Sequence, residues 1–349
     1  MQNNIVSKKV GVGTIFVFLS LALLFIFIPH LSLFQLISPL SSNRQDVLSQ
    51  LLPRLTQKPN TYRLTSPYSL IGQASADTVG STVNAYSVLD FDSGQIIDSK
   101  NGEKEVPMAS LTKIMTAIVA LDISSPSEKF VVTQRAADQI PTKIGVIVGQ
   151  RFTLEELLEA GLMTSANDAI EVIRDGIDTK YNDPVFVQAM NAKAEFLGLK
   201  NTHFTNPQGF DSTEHYSSAS DLAILTHYAL TNYPLISQIV KKDYIQLQAN
   251  GDHKQYDLYN WNGLLDVYPN VSGVKIGNTE NAGTTTIVKS ERNGKSILVV
   301  LLGTTGVLER DLVASQLLDN GFASTIGLPP IDVTEKQLRA KYATWKYWN

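Results

Sequence analysis

Ser110 and Lys113 are the residues of this sequence whose types and spacing point most directly to covalent chemistry. A serine hydroxyl is a weak nucleophile at neutral pH and needs an adjacent base to accept its proton. On a helix, residues three positions apart lie on one face, so the lysine amine can reach the hydroxyl. An amine acts as a base only if its pKa falls, and the apolar run that follows Lys113 favours this by desolvation. The pair predicts a serine nucleophile at the start of a helix, where free backbone N–H groups can stabilise a developing oxyanion.

The same spacing occurs a second time, so the pair needs support from other motifs. Ser272 and Lys275 repeat it, but they follow a turn that leads into a predicted strand, where the helical argument fails. The triplet Ser165-Ala166-Asn167 offers a second hydroxyl and a side-chain amide between two predicted helices. Lys275-Ile276-Gly277 opens the last strand region, where the lysine adds a positive charge and the glycine allows close approach of a substrate. These motifs predict one active site assembled from three distant segments.

The elements that must position these residues change in type along the chain. Residues 84–100 and 284–303 have the composition of strands, and the second segment turns at Asn293-Gly294. Between them, apolar residues recur at helical spacing, beginning with the run after Ser110. Strands at both ends with helices between them predict an α+β domain, in which an antiparallel β-sheet built from both chain ends packs against helices.

An uncharged apolar stretch, Val10–Ile28, is long enough to cross a bilayer as one helix. Lys8 and Lys9 precede it, which places the short N-terminal side in the cytoplasm and the rest of the chain outside. We expect an uncleaved anchor in the cell membrane; a cleaved signal peptide is the alternative, and both export the domain. The predicted division is a cytoplasmic stub and transmembrane anchor (1–30), a spacer with a short helix near Asp46–Leu55 (31–80), the catalytic domain (81–327) and a C-terminal tail (328–349).

The composition of the chain argues against several other kinds of site. The 349 residues contain no cysteine, which excludes disulfides, thiolate metal ligands and cysteine nucleophiles. The net charge is −4 and the basic residues are dispersed, whereas a nucleic-acid surface needs clustered Lys and Arg. The histidines show no metal-ligand spacing, and His215 is interpreted as a structural loop residue. We therefore expect no metal, no cofactor and no nucleic-acid partner.

The region from about Asn84 to Leu318 resembles the D-alanyl-D-alanine carboxypeptidases, the low-molecular-mass penicillin-binding proteins of serine peptidase family S11. The resemblance extends to the sequence around each motif: PMASLTKIMTAIVALD, FTLEELLEAGLMTSANDA and YPNVSGVKIGNTENAG. A fourth stretch, LGLKNTHFTNPQGFDSTEHYSSASDLAILTHYAL, resembles a segment characteristic of this family rather than of β-lactamases. The resemblance implies a β-lactamase/transpeptidase-like fold and penicillin-sensitive cleavage of peptidoglycan stem peptides through an acyl-enzyme.

The resemblance also implies a role for each matching residue. Ser110 would attack the carbonyl between two D-alanines, and Lys113 would accept its proton. Ser165 would relay a proton to the leaving amine with help from Lys275, and Asn167 would orient the substrate amide. The other implied substrate-binding residues are Gly277, Thr279 and Asn278, whose backbone N–H would form the oxyanion hole with that of Ser110. β-Lactams would acylate the same serine.

Ile276 departs from the family pattern, which usually has Thr or Ser at this position. That hydroxyl binds the terminal carboxylate of the substrate, and isoleucine cannot donate a hydrogen bond. Losing one hydrogen bond to a charged group costs about 1.5–3 kcal/mol, although Lys275 still attracts the carboxylate and Thr279 offers a nearby hydroxyl. The sequence leaves open a carboxypeptidase, a D,D-endopeptidase of the same family, and a catalytically weakened cell-wall-binding homologue. A β-lactamase is disfavoured because the second motif is Ser-Ala-Asn rather than Ser-Asp-Asn.

Overall fold

The main sheet has five antiparallel strands in the computed structural model, which describes residues 46–58 and 83–346. The strands of this sheet are β1 (Ala85–Asp90), β2 (Gln95–Lys100), β7 (Val271–Thr279), β8 (Gly283–Arg292) and β9 (Lys295–Thr304), in the spatial order β2-β1-β9-β8-β7. Two small sheets pair β3 (Lys129–Val131) with β4 (Arg151–Thr153), and β5 (Tyr244–Leu247) with β6 (Tyr256–Tyr259). The predicted antiparallel sheet built from both ends of the domain is therefore confirmed.

Helices precede, separate and follow the strands of the main sheet. They are α1 (Val47–Leu55), α2 (Lys113–Ile123), α3 (Gln134–Ala137), α4 (Leu154–Met163), α5 (Asn167–Tyr181), α6 (Phe186–Leu197), α7 (Ala219–Asn232), α8 (Pro234–Val240), α9 (Val307–Ile326) and α10 (Glu335–Tyr342). Local sequence signals set their ends. Thr153 caps α4 in a reciprocal capping box with Glu156, and Gly198 ends α6 in the left-handed conformation. The α+β class is confirmed.

Apolar side chains point alternately to the two faces of the sheet, and both faces are covered. In β9, Leu298 and Val300 belong to the core that includes α2 and α7. Ile297 and Val299, on the opposite face, belong to the core that includes α9. Burial on both faces explains why the sequence of β9 is an almost continuous apolar run.

Helix α2 is buried on nearly all sides, although the sequence predicts a single apolar stripe. Nine of its 11 residues are buried, including the polar Lys113 and Thr116. The helix runs through the centre of the helical layer, in contact with α1, α4, α5, α6 and α7. A helix surrounded by other helices is apolar all round, and this position removes its first residue, Lys113, from water.

Helix α1 packs on the catalytic domain, although the segment 31–80 that contains it was expected to be a spacer. The described residues from Val47 onward form one compact unit, and Leu51 and Leu55 lie in its hydrophobic core. Lys193 donates a hydrogen bond to the Leu55 carbonyl at 2.5 Å, and Arg54 donates to the Ile123 carbonyl at 3.1 Å. The short helix predicted near Asp46–Leu55 is confirmed, but it is docked on the domain instead of extending away from it.

The segment predicted as a C-terminal tail also folds back on the domain. Helix α10 buries Leu338 in the core beside α9, and the Tyr342 hydroxyl donates to Asp311 at 2.8 Å. At the other end of the chain, the predicted membrane anchor Val10–Ile28 lies outside the described residues. Within residues 46–58 and 83–346, no helix has the length and apolar character needed to span a bilayer.

Candidate active site

Ser110 lies in a single 3-10 turn, Ala109–Thr112, that leads into α2. The sequence predicts that Ser110 starts the α-helix, whereas the α-helix begins three residues later, at Lys113. A 3-10 turn has about three residues per turn, so the side chains at positions 110 and 113 eclipse each other. The predicted pair therefore forms through a tighter turn than expected, with Lys113 Nζ 2.8 Å from Ser110 Oγ.

Lys113 is completely buried and contacts three oxygen atoms. Its Nζ lies 2.8 Å from Ser110 Oγ, 2.9 Å from Asn167 Oδ1 and 2.7 Å from the backbone oxygen of Gln208. Burial, followed by the positive charge of Lys275, holds the pKa of Lys113 well below that of an ordinary lysine. A neutral amine has two N–H groups and one lone pair. Because the oxygens of Asn167 and Gln208 can only accept, they take the two N–H groups and leave the lone pair for the Ser110 hydroxyl proton.

Ser165 and Asn167 lie at the junction of α4 and α5, where the sequence predicts them. Ser165 is buried and has a φ of 60°, a left-handed conformation that is uncommon for a residue with a side chain. Asn167 is the first residue of α5 and donates from Nδ2 to the Ile140 carbonyl at 3.1 Å. That bond turns Oδ1 of Asn167 towards Lys113, so the structure joins the first and second motifs directly.

Asp168 holds a loop beside the second motif. Its buried carboxylate accepts hydrogen bonds from the backbone N–H groups of Ile144, Gly145 and Val146 at 3.1, 2.8 and 3.1 Å. The sequence suggests that Asp168 caps or supports a helix, and it does accept a bond from Ala169 N in α5. Its three bonds to residues 144–146 show that its larger role is to anchor this loop.

Strand β7 brings Lys275 and Gly277 against the nucleophile turn. Burial, with the positive charge of Arg310 as a second cause, lowers the pKa of Lys275 to about 7. A Cβ atom at Gly277 would lie 2.9 Å from Ser110 N and 2.6 Å from Thr285 Oγ1. Glycine was predicted here to let a substrate approach the backbone. The structure adds that the backbone of Ser110 already occupies that space.

The residues that follow Gly277 form the exposed end of β7. Asn278 is exposed and pairs with Thr284 of β8, and its backbone N–H is one residue beyond the contact with Ser110. The Thr279 hydroxyl donates to Asp211 Oδ1 at 2.7 Å, so it is already engaged. Ile276 is buried. In this arrangement neither residue 276 nor residue 279 supplies a hydroxyl proton to a substrate carboxylate.

Two residues that the sequence did not single out act on the lysines of the first and third motifs, Lys113 and Lys275. Gln208 contributes a backbone oxygen to Lys113, and a backbone acceptor leaves no signal in the residue type. Arg310 of α9 is buried and its charge lowers the pKa of Lys275. Its guanidinium also pairs with Asp311 through Nε at 2.7 Å and Nη2 at 3.0 Å. An Arg-Asp pair in a helix usually belongs to a solvated face, so its burial could not be read from the sequence.

His215 supports the nucleophile turn, which agrees with its interpretation as a structural residue. The Thr205 N–H donates to Nδ1 of His215 at 3.0 Å, and Nε2 lies 2.8 Å from Thr112 Oγ1. The Thr112 hydroxyl in turn donates to the Ala109 carbonyl at 2.9 Å. Because Nδ1 is an acceptor, the neutral ring carries its proton on Nε2. Burial lowers the pKa of His215 to about 4, so the ring is uncharged at neutral pH.

Comparisons with known proteins agree with this arrangement of motifs. The profile of the D-alanyl-D-alanine carboxypeptidase family, peptidase family S11, matches residues 73–306. The chain is 32% identical over 241 residues to the D-alanyl-D-alanine carboxypeptidase DacF of Bacillus subtilis, a match that covers 68% of this chain and 61% of that protein. It is 32% identical over 224 residues to the D-alanyl-D-alanine endopeptidase of Pseudomonas aeruginosa, a match that covers 63% of this chain and 70% of that protein. The match thus spans less than two thirds of the Bacillus protein.

The fold is also similar to that of solved structures. The structure of the Streptomyces K15 DD-transpeptidase superposes with a TM-score of 0.65 at 25% identity, covering 69% of this chain and 97% of that one. This likeness confirms the transpeptidase-like fold expected from the sequence. Since the family profile spans well over half of the chain and includes all three motifs, the chain belongs to the D-alanyl-D-alanine carboxypeptidase family, peptidase family S11.

Proposed function

We propose that this protein is a serine-type D-alanyl-D-alanine carboxypeptidase that acts on peptidoglycan stem peptides through an acyl-enzyme. The observation that carries the proposal is the 2.8 Å contact between Ser110 Oγ and the buried amine of Lys113, whose pKa is lowered. The substrate class is supported by the Bacillus subtilis relative, which is named for that activity.

Acylation begins when Lys113 takes the hydroxyl proton of Ser110 and Oγ bonds to the carbonyl carbon between the two terminal D-alanines. The backbone N–H groups of Ser110 and Asn278 stabilise the negative oxygen of the tetrahedral intermediate. Lys113 then gives up the proton that it took, and Ser165 relays this proton to the departing amine beside Lys275 as the C–N bond breaks, so that Lys113 is neutral again and Ser165 is unchanged. Asn167 orients the substrate amide, and free D-alanine leaves.

Deacylation returns the enzyme to its starting state. Lys113 accepts a proton from a water molecule as the water oxygen bonds to the ester carbonyl carbon. The proton passes to Ser110 Oγ when the ester bond breaks, and the stem peptide is released one residue shorter. A β-lactam carries a reactive amide that meets the same nucleophile, so it acylates Ser110 in place of the substrate.

Intact-mass spectrometry after incubation with penicillin tests this proposal. We expect one adduct per chain and, in a parallel assay, release of D-alanine from a pentapeptide stem. Ser110→Ala removes both. Ser272→Ala is the matched control, because Ser272 has the same spacing to a lysine but donates to the Lys289 carbonyl at 3.5 Å; this variant is acylated like the wild type. A wild-type chain that shows neither adduct nor D-alanine release refutes the proposal, and rapid turnover of nitrocefin identifies a β-lactamase instead.

A D,D-endopeptidase is the second candidate, and one observation favours it. Ile276 has no hydroxyl and the Thr279 hydroxyl is engaged by Asp211, so a free terminal carboxylate has fewer donors to bind. The Pseudomonas aeruginosa relative is named an endopeptidase. If this protein is an endopeptidase, kcat/KM is higher for cross-linked dimers of stem peptides than for monomeric pentapeptides. Binding of cell-wall fragments without any acylation would instead identify a weakened, non-catalytic homologue.

Replacement of Ile276 by threonine separates these two activities. A new hydrogen bond to a carboxylate contributes about 1.5–3 kcal/mol, so Ile276→Thr raises carboxypeptidase kcat/KM by about 10- to 160-fold. Activity on cross-linked dimers changes less. Ile276→Val is the matched control, because it shortens the side chain without adding a donor. Equal effects of the two variants would show that the missing hydroxyl does not set substrate preference.

We also propose that Val10–Ile28 anchors the chain in the cell membrane with the catalytic domain on the extracytoplasmic side. Support comes from its uncharged length and from Lys8 and Lys9 before it. The full chain should sediment with membranes and be digested by protease added to spheroplasts. Deletion of residues 1–30 should release the domain from the membrane, and protection of the full chain from external protease would contradict the proposed orientation.

A further inference from the structure

Glu171 is a buried carboxylate close to the active site that the proposed mechanism does not use. It lies one helical turn after Asn167 on α5, and its side chain is 1% exposed. The two carboxylate oxygens face different partners. Oε1 accepts from Arg135 Nε at 3.0 Å and from Arg174 Nη1 at 2.9 Å, whereas Oε2 accepts from the side-chain amide of Gln208. One oxygen is thus tied to two arginines and the other to the loop that contacts Lys113.

Gln208 connects this carboxylate to the catalytic base. Its side chain is bound to Glu171, and its backbone oxygen accepts from Lys113 Nζ at 2.7 Å. No strand carries Gln208, so its carbonyl is not fixed by a ladder of sheet hydrogen bonds. The adjacent Pro207 carbonyl accepts from Thr116 Oγ1 at 2.7 Å, and the Gly209 N–H donates to Asn206 Oδ1 at 2.7 Å; the bond to Glu171 is the one that holds the side chain of Gln208. A charge-assisted bond is stronger than a neutral one, which suits this anchoring role.

The position of the Gln208 carbonyl determines where the lone pair of Lys113 points. A neutral amine gives its two N–H groups to Asn167 Oδ1 and to the Gln208 carbonyl. If that carbonyl moves away, one N–H group turns to the next available acceptor, Ser110 Oγ. The lone pair then no longer faces the hydroxyl proton, and the nucleophile is not activated.

We propose that Glu171 is a positioning residue that acts through Gln208 to orient Lys113 for proton transfer from Ser110. This inference rests on the proposed function, because it assigns Lys113 the role of general base. It predicts that breaking the Glu171–Gln208 bond slows the acylation step and leaves ligand binding nearly unchanged, since neither side chain is placed in the substrate site.

Acylation kinetics with a fluorescent penicillin test this, because the concentration dependence of the rate separates Kd from the acylation rate constant. Gln208→Glu places two carboxylates together, and we expect its acylation rate constant to fall at least tenfold while Kd stays within about twofold. The exchanged pair, Glu171→Gln with Gln208→Glu, again joins an amide to a carboxylate and should recover most of the lost rate. A pair that served folding alone would instead lower the melting temperature of Gln208→Glu and leave the acylation rate constant of the folded protein unchanged.

Asp175 offers a matched control on the same helix. Its carboxylate is 4% exposed and pairs with Arg135 and Thr133 but has no bond to Gln208. Asp175→Asn therefore disturbs the same arginine and should keep the wild-type acylation rate constant, even if the melting temperature falls. If Gln208→Glu fails to fold, Gln208→Ala removes the same bond with a smaller disturbance and is expected to slow acylation in the same way.

The outcomes distinguish this inference from the proposed function. A wild-type chain that forms no Ser110 adduct overturns both. If the wild type is acylated and Gln208→Glu or Gln208→Ala is acylated equally fast, only the role of Glu171 is overturned. The same conclusion follows if Asp175→Asn slows acylation as much as the variants at position 208.

Discussion

Lys275 is a buried cation whose pKa of about 7 makes its charge depend on pH in the neutral range. Below that value Lys275 carries a positive charge, which we propose attracts a terminal carboxylate, and above it the charge is lost. The value of kcat/KM reports the ionisation of the free enzyme. For a D-Ala-D-Ala peptide, we therefore expect the carboxylate-dependent part of kcat/KM to decline as the pH rises through about 7.

Two substrates isolate this effect from the opposite titration of Lys113, which becomes a better base as the pH rises. The first is a peptide ending in D-Ala-D-Ala, and the second is the same peptide with a C-terminal amide, which offers no carboxylate. The ratio of their kcat/KM values, measured across neutral pH, should fall with increasing pH. A constant ratio would mean that the charge of Lys275 does not recognise the carboxylate.

A substitution at Gly277 can test how close strand β7 must lie to the turn that carries Ser110. An added Cβ would meet Ser110 N at 2.9 Å and Ala109 Cβ at 2.9 Å, and both belong to a buried turn that cannot yield easily. We expect Gly277→Ala to lower penicillin acylation of Ser110 by about 100-fold, because a displacement of this order disturbs reacting geometry. Gly251→Ala is the control, since a Cβ there has nothing within 4 Å. Normal acylation of Gly277→Ala would show that the turn can shift without loss.

At the scale of elements, α1 provides a comparison between two leucines on one helix. Leu55 is 0% exposed and Leu52 is 41% exposed. Replacing a buried leucine by alanine costs about 2–5 kcal/mol, whereas surface changes stay within about 0.5 kcal/mol. We expect Leu55→Ala to lower the free energy of unfolding by that larger amount and Leu52→Ala to leave it nearly unchanged. Denaturant titration of the purified protein measures both, and equal stabilities would show that α1 contributes little to the domain.

At the scale of the whole molecule, His215 links stability to pH. Its pKa is about 4 in the folded protein, below the ordinary value of 6.5. Above pH 6.5 the ring is neutral in both the folded and unfolded states. As the pH falls from 6.5 to 4, only the unfolded chain binds a proton, so folding stability is lost over that window. The loss below pH 4 is on the order of 3 kcal/mol, from about 1.4 kcal/mol for each pKa unit.

Denaturant unfolding of the wild type and of His215→Gln across this pH window measures the effect. Carboxylates with raised pKa values, such as Asp122 and Asp221, act in the opposite direction, so the difference between the two proteins isolates the histidine. Glutamine can accept from Thr205 and donate to Thr112, and it does not titrate. We expect the wild type to lose more stability than the variant as the pH falls. Parallel curves would show that His215 binds a proton equally well in both states.

The sequence alone predicts the three motifs, their order and the class of fold. Side-chain type and local spacing carry this information. Ser110 and Lys113 are three residues apart, and the spacing at which apolar residues recur distinguishes strands from helices. The sheet formed from both chain ends and the short helix near Asp46–Leu55 follow from the same local signals. The sequence places the start of α2 at Ser110, which is wrong, but the predicted contact between Ser110 and Lys113 still forms. Both 3-10 and α-helices bring residues three positions apart onto one face.

Tertiary structure alone decides what surrounds those side chains. Gln208 contacts Lys113 through its backbone, although the two residues are 95 positions apart in the sequence. Thr279 and Asp211, which are joined by a hydrogen bond, are 68 positions apart. The depression of the Lys113 pKa depends on complete burial and on Lys275, which lies on another element. A sequence records which groups are present, but desolvation, backbone acceptors and the use of each hydroxyl arise only when distant segments pack together.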